Sequence, residues 1–375
     1  MTLGEKKMGG ARRLTTLMGT AALVLGTLTV GVAGSTVAIT TASAATPFKA
    51  CVVTDTGGIN DKSFNASAWK GLQDAKKVDP KIAITYLSST SSADYVPNIN
   101  SFISQKCGII VTVGFLMDPA TKAAANAHPT QKFAIVDDAP TGLKYHNVLA
   151  LQYETDQAAF LGGMLAAGMS RTGTVATYGG EQFPSVTLYM NGFVAGVRYY
   201  DKTYHKSVKT LGWTPAKGAC NLNTCNGKGT FVGNFTDQTA GKTLTAGDFA
   251  SGADIVFPVA GSVGLGSVAA AQQAGKGHSV LWVDSNGCVQ DAADCKWFVG
   301  TVAKGVEPSV EAAVLSAAHG TFKGGRYIGT LKNNGTQLDF GGIPVPASLK
   351  AKIAAAKAGI IKGTISVNPN NYPAH

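Results

Sequence analysis

Short apolar runs alternate with segments of helical spacing along most of the chain. Runs rich in Val and Ile predict strands at 51–54, 82–87, 109–113, 133–136 and 148–151. Between them, apolar positions recurring every three or four residues predict helices at 64–77, 95–105 and 119–127. A second series starts near Asp156. It predicts helices at 157–169, 185–200, 241–251, 264–274 and 306–318. It predicts strands at 174–178, 206–211, 230–234, 255–259, 280–283 and 297–302, and a last helix at 347–358. Strand–helix alternation of this kind argues for parallel sheets covered by helices on both faces. Two series of similar length and order predict two α/β lobes, and clefts between lobes are preferred small-molecule sites. The expected division is 45–155 for the first lobe, completed by about 285–325. The second is expected at 156–284, completed by about 326–375.

The first 44 residues stand apart. Lys6, Lys7, Arg12 and Arg13 precede a long apolar stretch ending in Ala42-Ser43-Ala44. That is the order of a secretory signal with an A-x-A cleavage site, so the mature chain is expected to begin near Ala45, outside the cytoplasm. All six cysteines, Cys51, Cys107, Cys220, Cys225, Cys288 and Cys295, follow this segment. An even count in an exported chain suggests three disulfides. The 220/225 and 288/295 pairs read as local loop staples. Cys51 and Cys107 each open a predicted strand, and those strands are neighbours in the usual order of such a sheet. A zinc site is the rival reading, which the C-x4-C and C-x6-C spacings without nearby His fit poorly.

The formal charge is +10, from 32 Lys and Arg against 22 Asp and Glu. The basic residues are scattered, which reads as a solvated surface and not as a nucleic-acid groove. No G-x-S-x-G, H-E-x-x-H or Walker loop is present, and the histidines sit in turn-like or terminal contexts, so no enzyme, metal or cofactor is predicted. The glycine-rich run Gly261-Ser262-Val263-Gly264-Leu265-Gly266 follows a predicted strand. It reads either as a tight turn or as a place where backbone approaches a ligand.

One stretch is more specific. Asp55-Thr56-Gly57-Gly58-Ile59-Asn60-Asp61-Lys62-Ser63-Phe64-Asn65 joins the first strand to the first helix. It resembles the opening motif of the basic membrane protein family, the extracytoplasmic purine-nucleoside receptors of ABC importers. The resemblance continues through Val113-Gly114-Phe115-Leu116, Gly179-Gly180-Glu181-Gln182-Phe183-Pro184, Asn191-Gly192-Phe193, Gly233-Asn234-Phe235, Ala260–Gly266 and Trp282-Val283-Asp284. It implies a two-lobed type I periplasmic-binding-protein fold with the ligand cleft between the lobes. It also implies a monomer that binds a purine nucleoside and delivers it to an ABC permease.

By that resemblance Asp55, Phe64 and Asn65 line one wall, and Phe193 and Phe235 the other. Gly261, Asp284 and Lys304 would meet the sugar. Rings suit the faces of a purine, and amides and carboxylates its edge and the ribose hydroxyls. Asp118 either reaches the base edge or caps the helix beginning at Pro119. The chain departs from the family's lipoprotein pattern, because its first cysteine, Cys51, lies inside the first strand. Residues 220–229 are a further departure. A ligand-sensing or scavenging protein of the same fold, without a transporter, is the second reading, and a secreted nucleoside hydrolase the third.

Overall fold

A computed structural model of the chain describes residues 47–144, 146–218 and 220–373. The predicted leader and His375 lie outside the described residues. In chain order the first series is β1 (Lys49–Thr54), α1 (Phe64–Val78), β2 (Ala83–Ser88), α2 (Tyr95–Ser104), β3 (Ile109–Val113), α3 (Asp118–Ala127), β4 (Lys132–Val136) and β5 (Val148–Tyr153). The second opens with α4 (Thr155–Met169), β6 (Thr174–Gly179), α5 (Pro184–Tyr204), β7 (Lys209–Leu211), β8 (Trp213–Pro215), β9 (Gly227–Gly229) and α6 (Gln238–Ala250). It continues with β10 (Ile255–Val259), α7 (Gly264–Ala274), β11 (Ser279–Asp284), α8 (Gly287–Gln290) and β12 (Phe298–Lys304). The chain ends with α9 (Val306–Ala318), β13 (Gly325–Gly329), β14 (Thr336–Phe340) and α10 (Ala347–Ile361).

Twelve of these strands form two six-stranded sheets, ordered β13-β5-β4-β3-β1-β2 and β14-β12-β11-β10-β6-β7, and β8 pairs with β9 alone. The first is parallel throughout. The second is parallel except for its edge strand β14. The inner strands β3, β10 and β11 are buried at every position, as expected where helices cover both faces of a sheet. In the second lobe α4 lies directly on α5. A Cβ at Gly163 or Gly196 would overlap the facing helix backbone, so the glycines seen in the sequence set that close approach.

The lobe boundaries differ from the expected division. Strand β12, expected in the first lobe, pairs with β11 in the second sheet. Helix α9 packs on α1 in the first lobe, and β13, expected in the second lobe, pairs with β5 in the first sheet. The chain therefore crosses between lobes three times, near Glu154, Gly305 and residues 330–335. The crossings are bonded together, with Glu154 N–H donating to Gly329 O at 2.8 Å and Gly305 N–H to Gly335 O at 2.9 Å. The strand predicted at 230–234 does not form. Gly227–Gly229 pairs with Trp213–Pro215 instead, and Phe231 makes only an isolated bridge to Gly179.

All six cysteines are paired, as Cys51–Cys107, Cys220–Cys225 and Cys288–Cys295. The first ties β1 to the start of β3 across 56 residues of sequence, whereas the others span 5 and 7. On chain entropy the long bridge stabilises by about 4 kcal/mol and each short one by about 2 kcal/mol. Urea denaturation of Cys51→Ala/Cys107→Ala should therefore show roughly twice the loss seen for either short pair. Equal losses for all three pairs would contradict the loop-length account.

Candidate functional site

The carboxyl ends of the central strands of both sheets point into one cleft, where open α/β sheets hold ligands. The cavity there encloses about 590 Å³ counting its open mouth. The first lobe contributes Asp55, Asp61, Phe64, Asn65, Gly114, Phe115 and Asp137. The second contributes Phe183, Ser185, Tyr189, Phe235, Gly261, Asp284 and Lys304. Of the residues singled out in the sequence, Asp55, Phe64, Asn65, Phe235, Gly261, Asp284 and Lys304 are brought together. Phe193 and Asp118 are not.

Phe193 is fully buried and packs on Phe257 with ring centroids 5.3 Å apart, inside the second-lobe core. It lies a turn beyond Tyr189 on α5, too deep to reach the cleft. Phe183, at the N-terminal end of that helix, presents its ring instead. Asp118 lies in the first turn of α3, where a carboxylate complements the helix N-terminus, and against Asp138. It is not among the residues lining the cavity, and it is the first residue of α3 and not its cap.

The loop after β1 is held by Asp61. Its carboxylate accepts from the N–H groups of Ser63, Asn65 and Ala66 at 2.8–3.0 Å, supplying the donors at the start of α1 with an acceptor. That fixes Asn65, whose Nδ2 donates to Asp55 Oδ1 at 2.9 Å. Among the described residues, Asn65 Oδ1 is buried with no hydrogen-bond partner. Gly114 has φ +109, and a Cβ there would clash with Asp55 Oδ2, so the turn after β3 requires glycine.

Another part of the cavity is ionic. Lys304 Nζ donates to Asp137 Oδ2 at 2.6 Å across the cleft and lies 3.3 Å from Asp284 Oδ1. Asp284 Oδ1 also accepts from Tyr189 OH at 3.0 Å, and its Oδ2 lies 3.1 Å from Ser63 Oγ of the first lobe. Asp137 directly follows β4 and Asp284 ends β11, both in left-handed backbone, with φ 69 and 65. The Lys304 ammonium sits 4.8 Å from the Phe64 ring centre and 5.1 Å from that of Tyr189. Burial works against its charge, but Asp137 and Asp284 outweigh that and raise its pKa.

Three half-buried rings line the cavity besides Phe64. Phe115 of the first lobe stacks on Phe183 of the second at 4.9 Å, and Phe183 lies 6.4 Å from Phe235. Phe115, Phe183 and Asp137 were not singled out in the sequence. Asp137 directly follows β4, Phe115 lies two residues beyond β3 and Phe183 directly precedes α5, and such strand-end and helix-start positions are the signal that could have found them.

The architecture is that of a two-lobed binding protein of the type I periplasmic fold. A solute-binding protein of an ABC transporter system from Aeropyrum pernix shares it, with a TM-score of 0.74 at 23% identity, covering 85% of this chain and 93% of that one. One from Conexibacter woesei gives 0.63 at 19%, covering 86% and 99%. The profile of the Bmp family, the PnrA-like substrate-binding proteins of ABC transporters, matches residues 48–217 and 228–341, and the chain belongs to that family. It is 31% identical over 338 residues to the ABC transporter nucleoside-binding protein BmpA of Lactococcus lactis, covering 86% of this chain and 89% of that one. It is 27% identical over 332 residues to an uncharacterized lipoprotein of Pyrococcus abyssi, covering 85% and 76%.

Burial pushes the Asp61 and Asp137 carboxyls up to about 6, and Asp138 and Asp156 to about 7, from an ordinary 3.8. The folded chain therefore takes up protons more readily than the unfolded chain between about pH 4 and 7. The stability these groups contribute is fully present below the unfolded value and is lost as pH rises through the folded values. The ligand-free protein should show a higher urea midpoint at pH 5 than at pH 7. A lower midpoint at pH 5 would mean that these carboxyls titrate normally.

Proposed function

We propose that this chain captures a purine nucleoside between its lobes outside the cytoplasm and delivers it to an ABC importer. One observation carries the reading: the cavity combines aromatic rings with a lysine held between carboxylates. A purine presents two π-faces, for which Phe64 and Phe235 offer rings from opposite lobes, with Phe115 and Phe183 beside them. Its polar edge needs a donor and an acceptor together, which Asn65 and Asp55 supply. The vicinal ribose hydroxyls suit Asp284 and Asp137, with Lys304 donating to a sugar oxygen and Gly261 allowing close backbone approach.

Charge narrows the ligand further. Among the described lining residues, Asp61, Asp137 and Asp284 face one ammonium, Lys304, while burial holds the Asp55 carboxyl well above the usual carboxylate range. A cavity with that excess of carboxylate repels phosphate and favours an uncharged, hydroxyl-rich ligand. The name of the Lactococcus relative supports a nucleoside, and that of the Pyrococcus relative supports a location at the cell surface. A receptor of the same fold without a transporter would bind the same ligand. Loss of nucleoside uptake on deletion of the gene distinguishes the importer role.

Guanosine, inosine or adenosine should raise the melting temperature of protein stripped of ligand, by mass action on the folded state. Ribose should do little, and a nucleoside 5′-monophosphate should bind at least roughly a hundredfold more weakly than its nucleoside. If no nucleoside shifts the melt, the ligand assignment is wrong.

Asp284→Ala should weaken ribonucleoside binding about a hundredfold, since each charge-assisted hydrogen bond contributes roughly 1.5–3 kcal/mol. It should also erase the preference for ribose over 2′-deoxyribose. Phe64→Ala should weaken binding by about 1–3 kcal/mol, as base–aromatic contacts do elsewhere, while keeping that preference. Calorimetry with both sugars on both variants separates the two roles. Undiminished binding by Asp284→Ala would move the sugar elsewhere.

A further inference from the structure

The two short disulfide loops, Cys220–Cys225 and Cys288–Cys295, both belong to the second lobe, and each meets the first lobe with a residue inside its ring. In the 288–295 ring, Asp291 is buried and its Oδ1 accepts from Lys62 Nζ at 2.7 Å. Lys62 lies in the loop between β1 and α1, and its carbonyl accepts from Ser285 Oγ at 2.8 Å. In the 220–225 ring, Asn223 Oδ1 lies 3.4 Å from Gln152 Nε2 on β5, the long end of hydrogen-bond reach. Its neighbour Leu222 lines a small space with Asp137, Gln152 and Tyr153 of the first lobe and with Ser185 and Leu188 of α5. Asp137 and Ser185 line the ligand cavity as well, so Leu222 borders the seam beside the Lys304–Asp137 pair.

The 220–225 ring is anchored to its own lobe, where Cys225 O accepts from Thr187 Oγ1 at 2.6 Å. It is also an addition to the shared fold, since residues 218–227 fall between the two stretches that match the family profile. We infer that the two stapled rings are paired clasps across the cleft, which hold the lobes together and set how long a bound ligand stays. The inference rests on the nucleoside reading only for its kinetic probe.

The physical argument is pre-organisation. A surface loop loses conformational freedom when its tip docks, which offsets most of what one exposed contact contributes. A ring of a few residues closed by a disulfide has little such freedom left, so docking its tip costs less. The contacts join the two lobes and are broken when the lobes part. They therefore favour the closed form over the open one and bias the equilibrium between them. The effect falls on release, because departure needs the clasps undone while entry uses the open form.

The test uses Cys220→Ser/Cys225→Ser, Cys288→Ser/Cys295→Ser, and the milder Asn223→Ala and Lys62→Met, which leave the disulfides intact. Small-angle scattering of ligand-free protein needs no ligand. The parent should be compact and each cysteine-pair variant should have a larger radius of gyration. A parent as extended as its variants would overturn the clasp. Stopped-flow release of inosine should be about tenfold faster in either cysteine-pair variant, with association changed less than about twofold. Asn223→Ala and Lys62→Met should speed release in the same direction. Variants that melt earlier yet keep the parent's scattering and release rate would show that the staples serve only the stability of their own lobe. Should the parent bind none of inosine, guanosine and adenosine, the nucleoside reading fails, and the scattering result alone decides the clasp.

Discussion

Lys304 carries an ammonium to the seam between the lobes with its side chain only 3% exposed. Removing such a charge from water costs several kcal/mol, and it is tolerated only where opposite charges meet it with good geometry. Asp137 comes from the first sheet and Asp284 from the second, so the charge is satisfied only while both lobes are present at the cleft. The surrounding structure follows from that requirement. Both aspartates adopt left-handed backbone to turn their carboxylates inward, and Tyr189 and Ser63 occupy further oxygen sites of Asp284. Phe64 and Tyr189 place π-faces beside the ammonium, which suits a cation better than aliphatic carbon would.

One lysine between two carboxylates leaves a residual negative charge, and Asp61 adds to it as pH rises through about 6. A chain whose overall balance is +10 thus surrounds an acidic cavity. The opposition explains how surface charge and site chemistry can differ: the many exposed lysines are solvated, whereas the few charges at the strand ends act in a water-poor space. Net charge read from composition describes the first population and says nothing about the second.

Much of the fold was legible because buried parallel strands are continuous apolar runs, and β3 and β10 were read to the residue. The strands that escaped reading are edges. In β13, Arg326 and Ile328 face outward, and so weak an alternation over so few residues carries little signal. The segment 230–234 misled in the opposite sense. Its apolar residues cover the ring-lined end of the second lobe as a loop, with Phe231 set against Gly179. At the site, the β1–α1 loop was legible because one motif holds Asp55, Asp61, Phe64 and Asn65 together. Phe193 and Phe183 lie on or beside one helix, and only the packing of α5 on its sheet shows which ring faces the cleft. Asp137 was hidden for a similar reason, since Asp137-Asp138 follows β4 and nothing local says which carboxylate turns inward.

The three crossings between lobes have a consequence for how the molecule is made. The last strand of the first sheet is Gly325–Gly329 and the last of the second is Thr336–Phe340, separated by a single short connection. Neither sheet is complete until that stretch of chain has emerged, late in synthesis. The lobes therefore cannot mature one after the other as separate units along a string usually do. Both wait, each with an open edge, for the same few residues. Until then the chain is an unfinished pair of sheets, and a truncation just short of residue 325 leaves not one sound lobe but two incomplete ones.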